Sequence, residues 1–377
     1  MSANYKKLGD YIQPVDVRNS DLKVSNLLGL SIEKCFIESI ANTIGIDFRS
    51  YKIVKKGQFA YGPVTSRNGD KITIALLKEA DVCIISSSYS VFEIIDTTKL
   101  LPEYLMLWFS RPEFDRYARY NSHGSVREIF DWDEMCRVEL PVPSIVEQQK
   151  IVSNYNAITK RIQLKQKINE NLEKTAQYLF DELNINKESF EEKTIAEISN
   201  SVICGKTPST AEKEYWGSDI PFITIPDMHG KNFISQTERY LSLKGKSSQE
   251  NQTLPPKSIC VSCIATVGLV SMTTTTSQTN QQINSIICKE GISPFYVFLT
   301  LKGMDEELKR LGAGGSTTLN ISKSLFSSIK IKIPNKKEME LFENEISPFF
   351  DSILMNEKEI SKLQKLKQLV ISRISGM

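Results

Sequence analysis

A lysine, three hydroxyls and an aromatic pair stand close together in the second half of this chain, in Gly205-Lys206-Thr207-Pro208-Ser209-Thr210 and Glu214-Tyr215-Trp216-Gly217. Lys206, Thr207, Ser209, Thr210 and Trp216 can contact phosphates and base edges, although the same residues equally suit a turn before a strand. The Gly-Lys-Thr run is not a phosphate-cradling loop, because the first glycine of that motif would fall at position 200, which is Asn200. Two further loops repeat the theme: Gly312-Ala-Gly-Gly-Ser-Thr-Thr318 offers Gly315, Ser316 and Thr317, and Asn121-Ser-His-Gly-Ser-Val-Arg127 offers Ser122, His123, Ser125 and Arg127. Glycines allow close backbone approach while the polar side chains reach into a groove; a plain connector is the competing reading. Pro63-Val-Thr-Ser-Arg-Asn-Gly-Asp70 carries Ser66, Arg67 and Asn68. Arginine and asparagine are the types that pair bidentately with guanine and adenine, and a solvated turn fits the loop as well. Arg111, Arg116, Arg119 and Arg127, interleaved with Tyr117 and Tyr120, form a basic cluster that Glu113 and Asp115 are expected to neutralise in part.

Groups for covalent or acid–base chemistry do not assemble in the same way. There is no glycine-rich nucleotide loop, no Asp/Asn-Pro-Pro-Tyr run, no Asp…Glu-x-Lys set in a strand context, and no histidine beside a nucleophile. Cys260 and Cys263 make a single Cys-x-x-Cys with no second pair, and His123 and His229 are the only histidines, so no metal site is expected. Seven cysteines, mostly in apolar runs, speak against a disulfide framework. The net charge of +2 does not advertise a nucleic-acid binder, so any such contact must rest on local patches. No apolar run approaches the ~20 residues that cross a bilayer, and the first residues lack the apolar core of a signal peptide; a cytoplasmic protein with no membrane partner is expected.

The elements that would hold these loops are two long helices and two globular halves. From Ser144 to Leu183 there is neither Gly nor Pro. Ile151, Ile158, Leu172 and Leu179 recur every seventh residue, and Tyr155, Ile162, Ala176 and Leu183 fill the alternate positions of one narrow seam. Lys165 and Asn169 interrupt it, where polar residues restrict register. At the C-terminal end Ile346, Ile353, Ile360 and Ile374 share one heptad position and Phe349, Leu363 and Val370 the other, with Asn356 and Lys367 as exceptions. Two seams with like interruptions suggest mutual partners that act together as a spacer rod; a helical bundle or a share in one large core is the alternative. Self-similarity at about half the chain length accompanies them: Leu8-Gly-Asp-Tyr-Ile12 answers Ile195-Ala-Glu-Ile-Ser199, Leu101-Pro-Glu-Tyr-Leu105 answers Ser293-Pro-Phe-Tyr-Val297, and Val138-Glu-Leu-Pro-Val-Pro143 answers Ile329-Lys-Ile-Lys-Ile-Pro334. Strand-like runs mixed with short helices make each half a mixed α/β (α+β) domain. The expected division is residues 1–142, a spacer helix over 143–186, a second domain over 187–334, and a C-terminal spacer helix over 335–377.

Leu140-Pro-Val-Pro…Glu147-Gln-Gln-Lys-Ile-Val152, with Phe59-Ala-Tyr-Gly-Pro63, Ser86-Ser-Ser-Tyr-Ser-Val-Phe92 and Gly205-Lys-Thr-Pro-Ser…Tyr215-Trp-Gly…Ile220-Pro-Phe-Ile-Thr224, resembles the specificity subunit of type I restriction-modification enzymes across essentially the whole chain. The resemblance implies two target recognition domains, each reading one half of a bipartite double-stranded DNA site. It further implies that the two helices pair as an antiparallel coiled coil, set half-site spacing and dock two modification subunits, with Glu147, Gln148 and Gln149 at the docking surface. Restriction motor-nuclease subunits would join them. S-adenosylmethionine, ATP and Mg would then belong to partners and none to this chain. One departure is that Pro334-Asn-Lys-Lys-Glu-Met-Glu340 enters the second helix without a Glu-Gln-Gln run. A coiled-coil adaptor with two protein-binding ends is the alternative function, and an enzyme with a cryptic site a third. Under the first reading the isolated chain is expected to bind DNA weakly and with strong salt dependence.

Overall fold

The computed structural model describes residues 5–39, 45–66, 68–124, 127–185, 190–313 and 318–374. It divides into two compact units, Met1–Gln163 with Lys362–Met377, and Leu164–Ser361. The first half runs β1 (Tyr5–Lys7), β2 (Ile12–Val15), β3 (Leu28–Leu30), β4 (Phe36–Glu38), β5 (Lys52–Lys55), β6 (Phe59–Tyr61), β7 (Ile74–Leu76), β8 (Val82–Ile85) and β9 (Ser90–Ile94). Helices α1 (Pro102–Phe109), α2 (Pro112–Tyr120) and α3 (Trp132–Arg137), strand β10 (Glu139–Pro141) and the long helix α4 (Ile145–Leu183) follow. The second half opens with β11 (Glu191–Thr194), α5 (Ile195–Ile198), β12 (Ser199–Cys204), β13 (Trp216–Ile223), α6 (Ile225–Met228), β14 (Phe233–Ile234), β15 (Arg239–Leu241) and α7 (Leu243–Ser247). It continues through β16 (Ile259–Ser262), β17 (Val270–Thr273), β18 (Gln278–Thr279), β19 (Ile283–Cys288), α8 (Pro294–Lys302), α9 (Asp305–Gly312), α10 (Lys323–Ser328), β20 (Lys330–Ile333) and α11 (Lys336–Arg373).

The sequence repeat is a repeat of topology. The main sheet of the first half has the order β2-β9-β6-β7, and that of the second β12-β19-β16-β17-β14, the last strand added parallel to β17. Each half is closed by an antiparallel pair, β1 with β10 and β11 with β20. Strands β6, β7, β16 and β17 are buried throughout, which is why several read as continuous apolar runs rather than as alternation. Helices α1 and α8 each begin with a proline in the first turn and are buried almost all round. The tyrosine of the repeated motif does the same work twice: Tyr104 donates to the Pro141 carbonyl and Tyr296 to the Lys332 carbonyl, both at 3.0 Å. What differs is the pairing of the remaining strands, which form the pairs β3–β4 and β5–β8 in the first half and a three-stranded sheet, β15-β13-β18, in the second.

Helices α4 and α11 pair as an antiparallel coiled coil. Within the second unit Lys165 meets Glu359 at 2.7 Å, Asn169 meets Asn356 at 2.8 Å, and Phe180 meets Phe342, so partner numbers fall on α11 as they rise on α4. The expected seam residues are buried or half-buried. Three of the polar interruptions find one another: Asn356 donates its amide to the Asn169 oxygen and accepts from Lys165 at 2.8 Å. A shift by one turn would strand these groups in an apolar seam, so the network admits one register. Lys367 instead lies 4.8 Å over the Tyr155 ring within the first unit. The helices also serve the domain cores: off the seam, Phe350 stacks on Phe295 at 4.5 Å and Phe180 packs on Tyr296. Among the described residues, no helix is long and apolar enough to cross a membrane.

Candidate nucleic-acid interface

In the first unit two of the polar loops meet. The Phe130 N–H donates to the Pro63 carbonyl at 2.8 Å and the Thr65 N–H to Glu128 at 3.0 Å, while Ile129 bridges both Val64 and His123. The buried Thr65 hydroxyl donates to Ser122 at 2.9 Å, and Ser122 donates to the Ala118 carbonyl in the last turn of α2. Gly124 makes the return possible. Its φ is +138°, and a Cβ there would stand 2.2 Å from the Arg127 carbonyl oxygen. Ser66, His123 and Arg127 are therefore exposed at one junction, with Tyr120 exposed beside them. Ser122 and Asn68 shape that junction. Asn68 uses its amide nitrogen on the Val64 carbonyl and the Thr73 hydroxyl, at 3.2 and 3.0 Å. Arg67, Ser125, Gly315, Ser316 and Thr317 lie outside the described residues.

The basic cluster is largely neutralised from within. Arg111 is buried 4.0 Å over the Trp108 ring with Glu113 at 3.5 Å, Arg116 pairs with Glu113 at 3.3 Å, and Arg119 pairs with Glu128. Asp115 pairs instead with Lys34 at 2.8 Å and accepts from the Ile72 N–H. Burial pulls the Lys34 ammonium below its ordinary pKa, with Asp115 opposing. Of the four arginines, Arg127 is exposed and has no ion pair among the described residues.

In the second unit the Gly205 loop lies flat on the strand-and-turn segment 279–283. The Gly205 N–H donates to Ile283 at 3.0 Å and the Lys206 N–H to Thr279 at 2.9 Å, and a Cβ on Gly205 would stand 2.2 Å from the Asn280 carbonyl oxygen. The buried Gln249 amide bonds the Lys206 carbonyl at 2.8 Å and the Gln278 side chain at 2.7 Å, and Thr207 donates to Gln281 at 2.7 Å. Trp216 donates its indole N–H to the Ser209 carbonyl at 3.3 Å. This leaves Lys206, Ser209 and Thr210 exposed on a braced loop, with Trp216 as part of the brace. The segment after α9 is joined to the end of β16 as its first-half counterpart is joined to β6: Ile264 bridges Asn320, and Ile321 donates to Cys263 at 2.8 Å. Cys263 in turn donates to Gln282 at 2.8 Å, so the two polar loops of this unit share one support.

Sequence reasoning missed Arg239. Its guanidinium carbon lies 3.6 Å from the centre of the Trp216 ring. The two residues are far apart in sequence and come together because β13 and β15 pair, so no local pattern announces them. The Cys-x-x-Cys thiols sit in two separate apolar clusters, where burial pushes Cys260 to about 12 and Cys263 to about 11. Both are neutral thiols near pH 7.

Of the helix-entry residues, Glu147 closes a capping box with Ser144, whose hydroxyl donates to it at 2.9 Å. Gln148 is completely buried. It accepts from the Leu101 N–H at 2.9 Å and donates to the Lys99 and Pro143 carbonyls at 2.8 and 2.9 Å. Of Glu147, Gln148 and Gln149, the first and the last present exposed side chains. At the second helix Asn335 and Glu338 form the reciprocal cap, and the next residue, Met339, is buried.

A family model for the type I restriction modification DNA specificity domain matches residues 33–174 and again 187–369. The type I restriction enzyme HindI specificity subunit of Haemophilus influenzae is 30% identical over 412 residues, covering 89% of this chain and 89% of the relative. The EcoR124I/EcoR124II specificity subunit of Escherichia coli is 25% identical over 71% of this chain and 68% of its own length. The solved type I restriction-modification S subunit of M. genitalium superimposes with a TM-score of 0.63 at 13% identity, over 99% of this chain and 96% of that one. With two copies of the family domain, a relative matched over nearly its full length and the same fold, this chain belongs to the type I restriction-modification DNA specificity subunits.

Proposed function

We propose that each half reads one part of a bipartite double-stranded DNA site through groove contacts, without itself catalysing a reaction. The observation that carries this is the loop junction built twice at the same topological place, Val64 against Ile129 and Ile264 against Asn320. Each is flanked by a braced polar loop of different composition. Ser66, His123 and Arg127 are the first half's proposed contacts, with Arg67 and Ser125 in the same loops. Lys206, Ser209 and Thr210 serve the second half, with Gly315, Ser316 and Thr317. The 39 residues of α4 measure about 58 Å at ~1.5 Å per residue, longer than a DNA turn of ~34 Å. Helix length then sets the spacing between half-sites.

Two modification subunits dock on the helices. Glu147 and Gln149 contribute, and so do exposed apolar pairs at helical spacing: Leu164 with Ile168 on α4, and Leu366 with Leu369 on α11. Methyl transfer and cleavage then belong to partner subunits that hold S-adenosylmethionine, ATP and Mg, in the cytoplasm. The test exchanges residues 1–140 for the corresponding segment of a relative, assembles the complex with its modification subunits and maps the methylated adenines. One half of the recognised sequence should change and the other stay. A change in both halves refutes modular reading, and no sequence preference in the parent complex leaves the adaptor reading in its place.

A further inference from the structure

Arg239 opens β15 opposite Phe222 of β13, and Trp216 opens β13. The Trp216 and Phe222 rings meet edge to face at 5.3 Å and 89°. Over this pair the guanidinium carbon of Arg239 sits 3.6 Å from the indole centre and 6.0 Å from the Phe222 centre. An approach so close places the guanidinium flat on the ring, since an edge-on group would drive its N–H hydrogens into the indole. Stacked in this way its donors are held in one plane as a preorganised fork.

The platform is braced from both ends. Trp216 is held by the Ser209 carbonyl. The backbone leading to Arg239 is held by the buried Asp227, which accepts from the Glu238 N–H at 2.9 Å, and by the Thr237 hydroxyl, which donates to the Arg239 carbonyl at 2.6 Å. Arg239 itself is exposed and has no ion pair among the described residues, unlike Arg111, Arg116 and Arg119. A pre-set, unneutralised guanidinium fork beside an exposed Lys-Ser-Thr loop matches the two adjacent acceptors, O6 and N7, that guanine alone presents in the major groove.

We infer that Arg239, stacked on Trp216, is a specificity-determining residue that reads a guanine in the half-site of the second domain. The inference rests on the reading of each half as a recognition domain. The test assembles full-length wild type, Arg239→Ala and Arg239→Lys with their modification subunits and maps methylated adenines across a genome. Both variants should relax one guanine position of one half-site, with discrimination there falling roughly ten-fold or more, while the other half-site is unchanged. Arg239→Lys should keep the wild-type salt dependence of binding, because it keeps the charge. An unchanged motif in both variants overturns the inference. So does a uniform loss of methylation at every sequence: in Arg239→Ala alone, with Arg239→Lys like the wild type, it marks a phosphate contact, and in both variants alike it marks a purely structural stack. A wild-type complex without bipartite preference instead sinks the reading on which the inference stands.

Discussion

Where α1 begins, Leu101 gives its helix no side-chain cap, and Gln148 comes across from α4 to take the Leu101 N–H. Where α8 begins, Ser293 caps its own helix and turns its hydroxyl to Glu343 of α11. The two halves thus tie corresponding helices together, α1 to α4 and α8 to α11, with different residues, and the buried position that needs a glutamine in one takes Met339 in the other. Their sheets agree in strand order and their buried tyrosines in partner. The strands outside the main sheets pair differently, and the polar loops beside them carry different side chains, Ser66, His123 and Arg127 against Lys206, Ser209 and Thr210. A fold that keeps its supports alike while its outer loops diverge suits the proposal of two reading heads for two different sequences, since direct readout is set by a few side chains on a common scaffold.

The sharpest way to break this comparison uses the two glycines on which the loops depend. Gly205→Ala sets a Cβ about 2.2 Å from a backbone oxygen, an overpacking that costs about 3 kcal/mol or more and lifts the Lys206–Thr210 loop off its support. The methylated motif should lose its second half-site and keep its first. Gly124→Ala meets the Arg127 carbonyl as closely and at a φ reserved for glycine, so it should do the reverse. Motif mapping of both variants decides the matter, and loss of both half-sites in either one would mean the halves do not read independently.

A smaller effect is expected at the helix entries. Gln148→Met leaves the Leu101 N–H and the Lys99 and Pro143 carbonyls without partners, at about 1–3 kcal/mol. Met339→Gln buries an amide where Ser293 has already capped α8, at a similar cost. Thermal melts should show both variants less stable than the parent. A neutral Gln148→Met would show that the tie between α1 and α4 is not made by this side chain.

Much of this architecture is legible before any coordinates. Heptad spacing gives both helices, their mutual seam and three of the polar residues that lock register, because seam geometry is a periodic property, while their antiparallel direction is implied by the family resemblance alone. The repeat is legible because Leu101-Pro-Glu-Tyr-Leu105 and Ser293-Pro-Phe-Tyr-Val297 preserve a buried helix and its tyrosine. The site is less legible. The Gln-Gln run of the family looks like a surface, but burial is not periodic at a helix entry, and Gln148 faces inward. Four arginines suggest a basic patch, yet Glu113 and Glu128 pair with three of them. Arg239 is silent in the sequence, since its ring partner lies across a strand pairing that only the fold creates.

The finest difference lies in the helices themselves, in a group whose titration distinguishes the second unit. Glu357 of α11 is pushed up to about 7, first by burial and then by the Glu173 carboxylate of α4, with Lys231 opposing. Among the described residues it is the carboxyl so raised. The folded protein holds this proton more tightly than the unfolded chain, whose glutamates titrate near 4.5. The stability contributed is therefore complete below about pH 4.5 and is lost as the pH climbs through about 7. Glu357→Gln removes the charge that is forced to form there. The variant should match the parent in thermal melts at pH 4.5 and melt higher at pH 8, by about 2–4 °C for a gain of ~1 kcal/mol. The Lys367–Tyr155 contact of the first unit holds no carboxyl, so Lys367→Met should shift stability by the same amount at both pH values. If Glu357→Gln instead shifts both melts equally, the carboxyl is solvated in the folded protein and the contrast between the two ends of the helix pair is one of packing alone.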